Sequence, residues 1–135
     1  VALTVITCGG STLIGRRQDG TPVWGFIGGS AEGDEEPERT AVREVAEETG
    51  LLVTAGGILG HRTHPLTDVR VAYVSAWPTR GTEARARPGS GLLEVRWVDI
   101  PEAIRVMPGM YEPARRYLTT RHRWYTANSG NTPQQ

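Results

Sequence analysis

The sequence predicts an α/β sandwich in a single domain. Three observations carry this. Short β-branched and apolar runs recur along the chain, among them VALTVITC from Val1 and LLEVRWVDI ending at Ile100. An amphipathic segment with its own start and stop signals, Pro37 to Thr49, lies between the early and middle runs. Two more helical segments close the chain, and strands interleaved with helices that need burial on both sides pack as layers. At 135 residues the chain has the length of one domain and can bury about 65 to 70% of its unfolded surface.

VALTVITC reads as a buried strand, and STLIGRR, after the Gly9-Gly10 break, as its continuation or partner. QDGTP supplies a turn. VWGFIGG is a short strand ending in Gly28-Gly29, where backbone can approach another group closely. The helix follows. Pro37 suits its first position, Glu35, Glu36 and Glu38 complement the dipole at that end, and Gly50 suits its stop. LLVTAGGILGHRTH and DVRVAYVSAW form strands joined across PLTD, and a Gly-, Arg- and Pro-rich loop from Pro78 to Gly91 leads to the LLEVRWVDI strand. PEAIRV is a short helix opened by Pro101, and YEPARRYLTTRH a longer one with Pro113 near its start. The folded unit is expected over 1–126, with a polar, unpatterned tail over 127–135.

Composition narrows the function classes. Lys plus Arg and Asp plus Glu are both 15, so no global basic field exists to drive nucleic-acid or membrane binding. The Arg and aromatic cluster RHRWY, Arg121 to Tyr125, reads as a helix end with Arg at its negative pole. One cysteine, Cys8, excludes an intramolecular disulfide and reads as a small apolar strand residue in a reducing compartment. With no long apolar run and no signal-peptide pattern, the expected location is cytoplasmic.

Charge is concentrated in GGSAEGDEEPERTAVREVAEETGL, Gly28 to Leu51, which holds more than half of the 15 acids. With Glu44 set at 0° on a helical wheel, Glu47 lies at about 300° and Glu48 at about 40°, an arc of roughly 100°. Val42, Val45, Ala46 and Thr49 then form the expected apolar stripe, so the acids should look outward. Like charges at these spacings repel, and only Arg43, four residues before Glu47, offsets them. On the helix alone, a solvated acidic face and a cation cage are equally good readings.

The preceding residues decide between them. Gly29, five residues, Glu35, seven residues, then REVAEETGL matches, position by position, the signature of the Nudix hydrolases. The chain is identified as a member of that family on these 23 residues, which specify nine positions at fixed spacing, and the remaining element pattern is similar. The resemblance implies an α/β/α sandwich with a mixed sheet, the box forming loop, helix, loop. It implies hydrolysis of a diphosphate linkage in a nucleotide with Mg²⁺ or Mn²⁺, and hard carboxylate oxygens suit Mg²⁺. The closest functional likeness is to small enzymes that cleave nucleoside triphosphates, oxidised ones included, to monophosphate and pyrophosphate. ADP-ribose or a sugar nucleotide is the alternative, as is a binding module with little turnover. By motif position, Glu44, Glu47, Glu48 and the Gly28 carbonyl would hold metal, and Glu44 or Glu47 would act as general base. Arg43 would orient the glutamates, Glu35 would brace the loop, Gly29 would belong to the loop, and Gly50 would end the helix. Small members are often homodimers.

Two departures stand out. Ile27 occupies the position where many relatives have proline. Several triphosphate-cleaving relatives carry a Glu six residues before the late-strand Trp, and counting back from Trp97 gives Gly91; Glu94 and Glu83 are the nearby acids, Glu94 facing away by alternation. On the substrate side, Arg16 and Arg17 end an early strand either as a phosphate clamp or as a solvated strand end. Trp24, Phe26 and Tyr73 form either a base-stacking wall or core. His61 and His64 flank a hairpin without the further ligands zinc needs, and Pro65 stands near a marker proline of ADP-ribose-cleaving relatives.

Overall fold

The computed structural model describes residues 1–18 and 22–129. Its elements run β1 (Ala2–Cys8), β2 (Ser11–Arg17), β3 (Trp24–Gly25), β4 (Ile27–Gly29), α1 (Pro37–Thr49), β5 (Val53–Thr63), β6 (Arg70–Pro78), β7 (Leu92–Asp99), α2 (Ile100–Val106) and α3 (Glu112–Ser129). The seven strands form one mixed sheet along the path β3-β2-β1-β6-β5, with β4 also on β1 and β7 also on β2. β1 runs parallel to β6, pairing Ala2 with Ala72 through Ile6 with Ala76, and every other pairing is antiparallel.

Strand alternation sends successive residues to opposite faces, and here both faces are covered. Val5, Ile14, Phe26 and Tyr73 pack with Ala103, Met107, Ala114 and Leu118 of the α2–α3 layer. Ile6, Leu13 and Ile27 pack instead against Val45 of α1 and Leu51. The result is the expected α/β/α sandwich. Among the described residues no helix is long and apolar enough to cross a membrane.

α1 has the expected bounds, with Pro37 in its first turn and Gly50 left-handed at φ 77° as its stop. Its rotation differs from expectation. The buried residues are Thr40, Ala41, Val45, Glu48 and Thr49, and on the wheel used above Ala41, Val45, Glu48 and Thr49 lie at about 60°, 100°, 40° and 140°. The packed stripe is thus turned toward the acids, and Glu48 faces inward. Two smaller differences follow from tertiary pairing. VWGFIGG is two strands, because β3 pairs with β2 and β4 with β1. α3 continues past His122 through Ser129, taking in Ala127 to Ser129 of the expected tail. One contact on this extension is Tyr125, whose ring covers the Gly9-Gly10 turn so closely that a Cβ on Gly10 would sit 2.7 Å from it. Residues 130–135 and residues 19–21 of the QDGTP turn lie outside the described residues.

Candidate active site

Gly28 and Gly29 end β4 beside α1, and each is a glycine for a different reason. A Cβ at Gly28 would stand 1.9 Å from the Ala2 carbonyl oxygen of the paired strand. At Gly29 it would stand 2.5 Å from Cδ of Glu44. The first glycine lets two backbones meet, and the second lets a carboxylate lie against backbone.

Arg43 organises the acids. Its Nε and Nη2 donate to the two oxygens of Glu35 at 2.9 and 2.8 Å, and Nη2 also reaches the Ser30 carbonyl at 2.8 Å. Nη1 donates to Glu44 at 3.0 Å and to Glu47 at 3.2 Å. The fork matches a carboxylate in a way a lysine would not. Beside it, the Glu35 carboxyl is held down at about 2, with further donors in the Glu32 N–H and the Thr40 hydroxyl. Arg43 in turn is held well above its ordinary value, chiefly by Glu35. Glu35 therefore braces the loop onto the helix, and Arg43 spans brace and acids.

The three helix glutamates differ in setting. Glu47 is open, its side chain 56% exposed, whereas Glu44 is 17% exposed. Glu48 is 8% exposed and is pushed up to about 8, by burial first and then by its hydrogen bond to Glu44 and that group's charge, with Arg17 pulling the other way. Glu44 and the buried Glu48 stand side by side, and two such carboxyls favour the charged form together only with a counter-charge between them. A divalent cation supplies that counter-charge, so Glu44 and Glu48 fit one by donor type and by proximity. Among the described residues no three His, Cys, Asp or Glu side chains converge tightly enough to hold an ion as they stand; Glu47 is drawn toward Arg43 instead.

The two sequence arginines separate. Arg16 donates to Glu94 at 2.9 Å, while Arg96 binds the other Glu94 oxygen and lies 5.5 Å over the Trp24 ring. Arg17, one step along the strand, acts on Glu48 and lines a cleft of about 310 Å³ with Leu3, Phe26 and His64. This cleft shares Leu3, Phe26 and His64 with a second one of about 540 Å³ between Trp24, Phe26, Tyr73 and the α2–α3 connection. Trp24, Phe26 and Tyr73 thus serve as both core and cleft wall. His64 and Pro65 line the cleft, while His61 lends its carbonyl to Tyr111. Gly91 has φ 82°, and its carbonyl accepts from Gln18 N–H, so a glutamate there would be strained. Neither nearby acid replaces it: Glu94 is bound to two arginines, and Glu83 lies by Thr49 and Gly50 past the end of α1.

Sequence reasoning missed two cleft residues, Arg62 and Tyr111. Tyr111 stacks on Tyr73 at 4.3 Å with Arg62 over it at 5.0 Å. Their only sequence signal was a position in a hairpin and before a helix, which does not single them out.

Comparison with known proteins agrees with this geometry. A Mycobacterium tuberculosis protein, provisionally named as an 8-oxo-dGTP diphosphatase, is 30% identical over 108 residues, covering 66% of this chain and 50% of its own. An Escherichia coli CTP pyrophosphohydrolase is 30% identical over 80 residues, covering 57% and 58%. The chain thus spans little more than half the length of these curated relatives. In fold, it superposes on a Nudix-family hydrolase from Clostridium perfringens with TM-score 0.71 at 17% identity, covering 91% of this chain and 94% of that one. The NUDIX domain family model matches residues 1–122, and with the box glutamates, the paired glycines and the sandwich in place, the chain belongs to the Nudix family.

Proposed function

We propose that the chain is a metal-dependent pyrophosphohydrolase that cleaves a nucleoside triphosphate, oxidised ones included, to monophosphate and pyrophosphate. The observation that carries this reading is the cleft, whose lining includes Arg17, a guanidinium whose charge also acts on Glu48. A cleft with aromatic walls suits a base, and a guanidinium at its mouth suits phosphates on their way to the acids. The names of the two curated relatives support nucleoside triphosphates as the class.

Glu44, Glu47, Glu48 and the Gly28 carbonyl would hold Mg²⁺ or Mn²⁺, which neutralises phosphate charge and lowers the pKa of bound water. Arg17 positions the phosphates, Arg43 fixes Glu44 and Glu47, and Glu35 fixes Arg43. Water attacks one phosphorus of the diphosphate linkage, and the bond from that phosphorus to the bridging oxygen breaks. The other fragment leaves with that oxygen, pyrophosphate for attack at the α-phosphorus and monophosphate for attack at the β-phosphorus. Glu47, the open carboxylate, is better placed to take the water's proton than Glu44, which is 17% exposed and lies against Gly29. ADP-ribose is the second reading, favoured by Pro65 lining the cleft.

The test is phosphate release across nucleoside triphosphates, 8-oxo-dGTP, ADP-ribose and sugar nucleotides, with Mg²⁺ or Mn²⁺. Pyrophosphatase is added for the triphosphates and phosphatase for the others. Turnover of triphosphates that falls in Glu47→Gln and Glu48→Gln is expected. Inactivity on every substrate overturns the reading in favour of a nucleotide-binding module, and full activity in both variants overturns the roles given to Glu47 and Glu48.

A further inference from the structure

We infer that Arg62 determines which base the cleft accepts, by donating to two adjacent acceptor atoms on the base edge. This rests on the cleft being the base site of the proposed hydrolase.

Arg62 is held on three sides. Its Nε donates to the Tyr73 hydroxyl at 3.1 Å, and its guanidinium lies 5.0 Å from the Tyr111 ring centre and 5.7 Å from that of Tyr73. The rings are themselves fixed: Tyr73 is buried, stacked on Tyr111 and edge-on to Phe26, and the Tyr111 hydroxyl donates to the His61 carbonyl at 3.2 Å. The Nη1 and Nη2 groups make no hydrogen bond or ion pair among the described residues, and no Asp or Glu lines the cleft to claim them. A guanidinium fixed by its Nε edge and its face presents its remaining donors as a rigid fork.

The rest of the lining adds no competing side-chain acceptor of comparable strength. Both tyrosine hydroxyls are engaged. His64 accepts from Leu66 N–H on Nδ1 at 3.1 Å, which places the proton of the neutral ring on Nε2 and makes that edge a donor too. The cleft therefore offers donors, and a matching base offers acceptors.

Two bases show two neighbouring acceptors: guanine through O6 and N7, and cytosine through O2 and N3. Adenine places its amino donor beside N7 and N1. Uracil places N3–H between its carbonyls, and 8-oxoguanine carries a hydrogen on N7 beside O6. A fork of donors meets a donor in each of these three, and a good bidentate pair discriminates by about 10- to 100-fold against the wrong base.

The experiment compares GTP, CTP, ATP, UTP and 8-oxo-GTP by kcat/KM in the wild type, Arg62→Gln and Arg62→Met, beside calorimetric binding of GMP, CMP and AMP. Wild type is expected to favour guanine or cytosine over adenine by about 10-fold or more, and the GTP and CTP arms say which base fits. In both variants that preference should collapse to within about threefold through a rise in KM for the favoured base that exceeds any rise for ATP, with kcat for the favoured base little changed. Arg62→Gln keeps a planar polar group of similar reach with one donor group and one acceptor, so it carries the test if the Met variant does not fold. A wild type without the preference, or a preference that survives in Arg62→Gln, overturns the assignment. Base-selective binding of monophosphates that depends on Arg62, without turnover of any triphosphate, would uphold the assignment and overturn the hydrolase reading.

Discussion

Replacing Gly29 by alanine should abolish most activity without weakening the fold. A Cβ there would lie 2.5 Å from Cδ of Glu44 and 2.6 and 2.7 Å from its two oxygens. Ordinary contacts begin near 3.4 Å, so the carboxylate must retreat by about 1 Å, and a displacement of that size at a catalytic group costs about 100-fold in rate, or ~2.7 kcal/mol of barrier. The obstacle is the end of a flexible side chain, and Gly29 does not have a left-handed φ, so alanine also narrows the unfolded ensemble and adds about 0.4 to 1 kcal/mol of stability. Gly28 is the control. Its added Cβ would meet the Ala2 carbonyl oxygen at 1.9 Å and the Leu3 Cα at 2.9 Å, so β4 must part from β1, at a cost of roughly 3 kcal/mol or more. Metal-supported pyrophosphate release gives kcat/KM, and thermal unfolding by circular dichroism gives stability. Gly29→Ala should lose rate and keep its Tm, whereas Gly28→Ala should lose Tm by several degrees. If Gly29→Ala retains kcat/KM within threefold, Glu44 does not act from the position its contact with Gly29 defines.

Further substitutions separate neighbouring roles. Arg17→Ala should lower kcat/KM by about 10- to 100-fold, as loss of a charge-assisted phosphate contact does, while Arg16→Ala, whose partner is Glu94 in an exposed pair, should stay within threefold and cost under about 1 kcal/mol; equal losses would contradict the split. Gly50→Ala forces alanine to φ 77° with its Cβ 2.9 Å from Nη2 of Arg87, so stability should fall by about 1 to 2 kcal/mol with activity per folded molecule intact in a chemical-denaturation and turnover comparison. Glu35 has a folded pKa of about 2 against an ordinary 4.5, so its stabilisation is complete above about 4.5 and is lost as pH falls through 2. The Tm difference between wild type and Glu35→Gln should be constant from pH 7 to 5, shrink below 4.5 and vanish near 2; a pH-independent difference refutes the ion-pair account.

The elements were legible because each carried local signals. Pro37 and Gly50 bracket α1 to the residue, and β-branched runs mark β1, β6 and β7. Misplaced features depended on what an element meets in space. The break at Phe26 arises because β3 and β4 choose different partners, and the extension of α3 goes with Tyr125 resting on Gly9-Gly10. The inward turn of Glu48 is the most instructive case. Hydropathy places a carboxylate outside, yet Ala41, Val45 and Thr49 set the buried stripe and Glu48 falls within it. A helix whose acids all faced water would gain solvation but would lack the paired carboxyls that need a counter-charge.

Under the proposed function, the same sheet explains why the box specifies the cleavage chemistry and leaves recognition to other segments. Alternation along β2 sends Leu13 to the α1 layer and Ile14 to the α2–α3 layer. Next along the strand, Arg16 goes to Glu94 and Arg17 acts on Glu48. The acids sit on one side, with their spacing fixed by a single helix, so nine positions suffice to recognise them. The cleft on the other side gathers Trp24, Arg62, Tyr73 and Tyr111 from four separate segments, and no fixed spacing can encode that. Arg17 lines the smaller cleft, and its charge acts on Glu48. A one-residue shift of β2 against β7 would exchange the faces of Arg16 and Arg17. Under the proposed function, the β2–β7 register, Ile14 opposite Arg96 and Arg16 opposite Glu94, is a determinant of catalysis made of residues that touch no substrate. Glu94→Lys, which puts like charge opposite Arg16 and beside Arg96, should reduce kcat/KM through Arg17. Its loss should fail to add to that of Arg17→Ala in the double variant. Additive losses would show that Glu94 acts by some other route.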